Sequence, residues 1–199
     1  MDYSIEHAIN AFVREHAFLV SLTELLAAWI VPIVFIAAAV PWLISGRGVD
    51  RGKRATTGAY FAAALALGIN QIIIRLIDRP RPFEAHIDIV PVGHASTDSS
   101  FPSDHSTAAF AIATAAWIAY PRAGKWLMVL AVLTAVSRLM IGAHYPTDVI
   151  GGAVIGAIAA LIVMRLDRVW LPLAALVARL TDPIRFWIAG LPGVRALTR

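Results

Sequence analysis

Residues 18–44 read FLVSLTELLAAWIVPIVFIAAAVPWLI, and only one of their side chains, that of Glu24, is ionisable. The run exceeds the ~20 apolar residues that carry an α-helix across a bilayer core. A helix apolar on every face belongs in lipid or deep inside a large protein, and a short chain has no such interior. Four further apolar stretches follow at 57–77, 106–120, 126–141 and 149–164. The stretches 106–120 and 126–141 are short and extend into the polar residues at their ends. The composition agrees: 59% of the 199 residues are hydrophobic and 15% charged, the mean hydropathy is +0.72, and soluble domains run nearer ~25% charged. The expectation is one all-α domain over residues 1–199. It is an integral membrane helical bundle of five spanning helices, or six, at 18–165, with interfacial amphipathic helices at both ends.

Basic residues lie in 45–55 (Arg47, Arg51, Lys53, Arg54), in a tight loop at 121–125 (Arg122, Lys125) and in the tail after Met164. With five spans these three segments share one face, which the positive-inside rule assigns to the cytoplasm. The segment 1–17 lacks the basic-then-apolar plan of a cleaved signal and reads as an interfacial helix. At the other end, 170–179 is apolar but too short to span and is interrupted by Pro172, with Pro183 beyond it. The segment 166–199 is therefore a cytoplasmic-side interfacial tail, with Trp170, Phe186 and Trp187 suited to the headgroup zone. The net charge of +4 forms no basic stripe, so nucleic acid is not an expected partner. There is no cysteine, which excludes disulfides, thiolate catalysis and cysteine-ligated zinc.

Three segments place costly polar groups beside apolar helices, all on the face opposite the basic loops. They are Arg79-Pro80-Arg81-Pro82-Phe83, then Phe101-Pro102-Ser103-Asp104-His105-Ser106, then Ser137-Arg138 with His144 and Asp148 behind it. An arginine within a span, as Arg138 is, costs at least ~2.5 kcal/mol unless something anionic compensates it. Arg81 and Arg138 offer planar donor forks for a tetrahedral oxyanion. Ser103 opens a helix, whose free N–H groups also favour an anion. Asp148 stands four residues after His144 and suits both an N-cap and a histidine partner. A carboxylate on one ring nitrogen makes the other the better nucleophile. Anion cradle, nucleophile and a second histidine together supply what phosphoryl transfer requires.

These segments resemble the signature of the type-2 phosphatidic acid phosphatase superfamily, the lipid phosphate phosphatases that share a site with vanadium haloperoxidases. The resemblance covers about residues 57–152. It implies His144 as the nucleophile that becomes a phosphohistidine and Asp148 as its partner. It further implies His105 as the acid for the leaving oxygen, phosphate bound by Arg81, Ser103 and Arg138, and neither metal nor cofactor. Two features depart from the common pattern. The lysine usually found seven residues before Arg81 is Ile74 here, so Arg75 or Arg79 is a candidate substitute in phosphate binding. Asp104 replaces a frequent glycine, either as an N-cap or within the phosphate site. The Phe-Pro-Ser-Asp-His form, with Asn70-Gln71 upstream and 94–98 leading into it, resembles the undecaprenyl-diphosphatase branch.

That branch implies hydrolysis of undecaprenyl diphosphate at the outer face of a bacterial plasma membrane, with a polyprenyl lipid and the surrounding membrane lipids as partners. A broader phosphatase for phosphatidylglycerol phosphate or phosphatidic acid is the alternative. A transporter of anionic lipids is a different class, with no need of His105 or of the His144–Asp148 pair; a vanadium-dependent oxidase is the remaining alternative, but known ones are soluble. Ordinary readings suffice for His7, His16, His86 and His94 as packing or interfacial residues, and for Arg47 and Arg51 as interfacial arginines. Asp88 and Asp98 read as loop-solvating residues, and Gly151, Gly152 and Gly156 as permitting close helix packing.

Overall fold

The computed structural model of the chain describes residues 1–46, 48–93 and 98–189. Arg47, His94 and the rest of 94–97, and the tail beyond 189 lie outside the described residues. Eight helices are seen among those residues: α1 (Asp2–Arg14), α2 (Ala17–Ile44), α3 (Arg51–Leu76), α4 (Pro82–Ala85), α5 (Asp104–Ala119), α6 (Pro121–Met140), α7 (Pro146–Arg165) and α8 (Asp167–Ala189). Four of them, α2, α3, α6 and α7, are long and apolar enough to cross a membrane. The chain is a multi-pass membrane protein.

α5 is the helix around which the others stand. Its 16 residues reach about 24 Å at 1.5 Å per residue, short of the roughly 30 Å hydrocarbon core. It nevertheless runs from one end of the bundle to the other. Asn70, late in α3, bonds Asp104 at its start, and Arg51, first in α3, bonds the carbonyl of Ala119 at its end. Five helices therefore connect the two ends, as the apolar stretches predict, with the shortest one sheltered inside.

The packing rule is small inside and large outside. Ala59, Ala62, Ala63 and Ala66 of α3, Ala108, Ala111 and Ala115 of α5, and Ala159 and Ala160 of α7 are buried. Leu25, Trp29, Ile33 and Ile36 of α2 and Ile150, Val154 and Ile158 of α7 are exposed. Lipid is as apolar as leucine, so the helices associate through close backbone approach rather than through hiding large side chains. The most extensive helix contact is between α5 and α7. A Cβ on Gly152 would fall 2.6 Å from the carbonyl oxygen of Ser103, and one on Gly156 would fall 2.3 Å from that of Thr107. The two helices run parallel, both beginning at the same end.

Several boundaries differ from the sequence expectation. Residues 121–125 are the first turn of α6 and not a loop; Pro121 tolerates that position because it lacks only an N–H that would be unpaired anyway. α3 starts at Arg51 because Asp50 caps it, accepting from the Lys53 amide at 3.0 Å. Lys53, expected among the basic loop charges, is completely buried. Its Nζ donates to the carbonyls of Gly46 and Gly48 and to both oxygens of Asp182, at 2.6 and 2.8 Å. α8 is unbroken by Pro172 or Pro183 and is held to the start of α3 at both ends, by Asp167 with Arg54 and Asp182 with Lys53. Trp170 is not at an interface. It is 6% exposed, stacks on Phe61 and donates Nε1–H to the carbonyl of Val163.

Candidate active site

The polar segments meet at the end of the bundle where α5 and α7 begin and α3 and α6 finish. Gly142, at a φ of 74°, turns the chain out of α6, a conformation that costs a glycine nothing. The turn returns as Pro146 opens α7. It presents His144 and Asp148 to the α5 N-terminus, where the Ser103 amide donates to the Asp148 carbonyl at 3.1 Å.

His144 is 3% exposed. Its Nδ1 lies 2.8 Å from the carbonyl oxygen of Ser100 and 3.8 Å from Asp148 Oδ2. The nearest acceptor is thus a backbone carbonyl, and the carboxylate supplies charge from slightly farther off. An Nδ1–H donated to Ser100 leaves Nε2 unprotonated. Nε2 faces Arg81, whose Nη1 stands 3.4 Å away. Burial, with the positive charge of Arg81 adding to it against the pull of Asp148, holds the imidazole below its ordinary pKa of 6.5, so the ring is neutral and nucleophilic at neutral pH.

Arg81 is held from behind. Its Nη2 donates to Asp98 Oδ1 at 2.6 Å, its Nε to the Asp98 carbonyl at 2.9 Å, and its Nη1 to the Ala143 carbonyl at 3.1 Å. Asp98 is therefore more than a loop-solvating residue: it aims the arginine. His105 is exposed, one position into α5, with Arg138, Arg81 and Asp98 as the charged groups around it and the His144 imidazole also nearby. Arg138 is 8% exposed and gives Nη2–H to the Ala27 carbonyl at 2.6 Å. It borders a cavity of about 270 Å³ that Glu24, Val92 and Gly93 also line. Arg138 Nε and the hydroxyls of Ser103 and Ser106 are buried with no protein partner among the described residues. Ser103 occupies the N-cap of α5 without using its side chain to cap it.

The remaining expected residues divide. Asp104 Oδ1 accepts from Asn70 Nδ2 at 2.7 Å, and Asn70 also donates to Thr107 Oγ1 at 2.9 Å. A carboxylate cannot donate to a phosphate oxygen, and this one ties α3 to α5. Arg75 is exposed in the last turn of α3, outside the network just described. Arg79 lies behind Asp148: its Nη1 is 2.5 Å from Asp148 Oδ1 and 2.7 Å from Thr147 Oγ1, and its Nη2 is 2.6 Å from Asp2 Oδ2.

Besides Asp98, three participants escape the sequence reading. Ser100 is fully buried, donates its hydroxyl to Asp148 Oδ2 at 2.5 Å and offers its carbonyl to His144. No spacing rule marks a serine that works through its backbone. Asp2 and Glu6 come from α1, which lies across the 142–148 turn. Their spacing of four is a visible helical face, but not one that names its target. Glu6 is fully buried, with neither carboxylate oxygen partnered among the described residues. Burial, and then the negative charges of Asp148 and Asp2, push its carboxyl up to about 9.

Two histidines at one end of a bundle of spanning helices, one with a buried carboxylate beside it, and two arginines at the same end are groups that can serve phosphoryl transfer at a bilayer. The chain belongs to the PAP2 superfamily, whose sequence pattern matches residues 55–171; it is a lipid phosphatase of that family. It is 30% identical over 184 residues to undecaprenyl-diphosphatase BcrC of Bacillus subtilis (strain 168), covering 92% of this chain and 93% of that protein. The putative undecaprenyl-diphosphatase YbjG of Escherichia coli (strain K12) is 33% identical over 163 residues, 81% of this chain and 80% of that one. In fold, the chain is similar to the crystal structure of Aquifex aeolicus LpxE, with a TM-score of 0.67 at 22% identity over 82% of this chain and 94% of that one.

Proposed function

We propose that the protein hydrolyses undecaprenyl diphosphate to undecaprenyl phosphate and inorganic phosphate, without a metal, through a phosphohistidine on His144. The observation that carries this reading is the placement of Arg81 Nη1 3.4 Å from His144 Nε2, with His105 and Arg138 close by. A phosphate held by Arg81, Arg138 and Ser103 puts its phosphorus in front of Nε2. The imidazole attacks, the bond from phosphorus to the bridging oxygen breaks, and His105 gives its proton to the departing lipid phosphate. His105 then takes a proton from water, which attacks the phosphohistidine and releases phosphate and free His144.

Energetics favour the same occupant. Each buried donor without a partner costs about 1–3 kcal/mol, and Ser103 Oγ and Arg138 Nε are two such groups. Phosphate oxygens satisfy both. The isoprenoid substrate rests on two of the relatives that match most of the chain, both named as undecaprenyl-diphosphatases. The basic residues near Arg51 and Arg122 lie at the opposite end of the bundle from the site, which supports a site facing outward from a bacterial plasma membrane.

The test is phosphate release by purified protein in detergent with a chelator present, across undecaprenyl diphosphate, phosphatidylglycerol phosphate and phosphatidic acid. Preference for the isoprenoid and a dead His144→Ala variant support the proposal. Preference for a glycerophospholipid moves the substrate, and binding without phosphate release would make the protein a carrier of anionic lipid.

A further inference from the structure

Arg79 is placed too far behind the histidine to belong with the phosphate donors, and its fork is already filled. One arm lies on Asp148 of α7 and the other on Asp2 of α1. Asp2 is fixed in turn, accepting from the Thr147 amide at 3.1 Å and the Thr147 hydroxyl at 2.5 Å. The guanidinium carbon lies over the Tyr145 ring, 4.1 Å from its centroid. Tyr145 directly follows His144, so Arg79 touches residues 145, 147 and 148 of the catalytic turn.

We propose that Arg79 is a positioning residue for the His144–Asp148 pair and that Asp2 holds it there, so that α1 completes the active site. Asp148 is fully buried, and a buried carboxylate needs a cation or several donors to remain in place. It has Arg79 on Oδ1, and the Ser100 hydroxyl and Tyr145 amide on Oδ2. The only full positive charge among these contacts is that of Arg79. Asp2 matters because Arg79 is partly exposed (28%) and a long side chain in that setting has other rotamers available. A second carboxylate on its far arm fixes one geometry and makes the fork bidentate across two helices. Burial alone would raise the Asp2 carboxyl, but the hydrogen bonds from Thr147 and Arg79 outweigh it and leave it lowered and charged.

The inference rests on the reading of His144 as the nucleophile, and one experiment separates the two. Rapid-quench labelling of the full-length protein with undecaprenyl diphosphate gives the amplitude and the rate of phosphohistidine formation, and orthovanadate inhibition gives the affinity of the anion cradle. Arg79→Ala is expected to keep the amplitude, slow the rate about 10- to 100-fold and leave the orthovanadate inhibition constant within about twofold of wild type. Arg79→Lys recovers part of the rate, Asp2→Asn shows a smaller loss of the same kind, and Arg79→Ala adds little in an Asp148→Asn background. Should Arg79→Ala fail to fold, Arg79→Lys and Asp2→Asn carry the same comparison. An unchanged rate, or a loss of amplitude alone, overturns the proposal in favour of a purely structural role. A parallel loss of orthovanadate affinity overturns it in favour of phosphate binding. Absence of label on His144 in the wild-type protein defeats the underlying mechanism instead.

Discussion

The carbonyl oxygen of Ser100 stands 2.8 Å from Nδ1 of His144. Asp148 Oδ2 is a full ångström farther, at 3.8 Å. A backbone carbonyl survives every side-chain substitution, so the tautomer that leaves Nε2 free persists when Asp148 is changed. Asp148→Asn should therefore still form phosphohistidine, slower by about 10- to 100-fold through loss of charge and orientation, whereas His144→Ala forms none. Rapid-quench labelling distinguishes the two; equal inactivity of both variants would show that the Ser100 contact does not suffice.

Protonation of His144 removes the nucleophile, so activity falls as pH drops through its pKa. Burial places that pKa below the ordinary 6.5. The acidic limb of kcat/KM, which reports the free enzyme, should accordingly lie below pH 6.5. A limb at or above 6.5 would mean that water or the Asp148 charge governs the imidazole more than burial does.

Glu6 gives a dependence of the opposite sign. Its carboxyl is raised from the ordinary 4.5 to about 9 by burial, with Asp148 and Asp2 adding to it. Between those values the folded chain keeps a proton that the unfolded chain has released. The stability linked to this group is complete below about 4.5 and is lost progressively as pH rises through about 9. Wild-type protein should melt at lower temperature at pH 9 than at pH 6, with faster amide exchange in α1, and Glu6→Gln should flatten both differences. A variant with the wild-type pH dependence would place the titration elsewhere.

Gly156 tests the helix contact that brings the serine and histidine of α5 to the α7 turn. A Cβ there meets backbone, at 2.3 Å from the Thr107 carbonyl oxygen and 2.8 Å from the Ala111 amide nitrogen, so no side-chain rotation relieves it. Gly156→Ala should cost about 1–3 kcal/mol in stability and depress activity with it. Gly68→Ala, where nothing lies within 4 Å, is the control and should be silent in both measurements.

The bundle was legible because a bilayer imposes length and apolarity on each spanning helix, a signal every stretch carries by itself. His144, Asp148, Arg81, Ser103, His105 and Arg138 stand out in the sequence as candidates because phosphate chemistry asks for those side chains at helix ends, and the structure places them at one end of the bundle. Ser100 and Asp98 do not, since one acts through its carbonyl and the other by steadying an arginine. Lys53 and Trp170 look like interfacial residues in the sequence. Each is buried instead because a partner lies far along the chain, Asp182 of α8 for Lys53 and Phe61 of α3 for Trp170, and no local pattern announces a contact over that distance. Arg79 shares a motif with Arg81, two positions on, yet the turn between them sends one behind the carboxylate and the other to the face of the histidine.

The parallel course of α5 and α7 has a cost that falls at one end only. Each helix carries roughly half a positive charge at its N-terminus, and backbone contact through Gly152 brings these two like poles together at Ser103 and Asp148. Two bar magnets laid side by side with matching ends push apart, and Arg81 and Arg138 add whole positive charges to the same spot. Asp98 on Arg81 and the buried Asp148 answer part of that excess. Under the proposed reading the anionic substrate answers the rest, so the site end of the bundle would be under an electrostatic tension that returns each time product leaves.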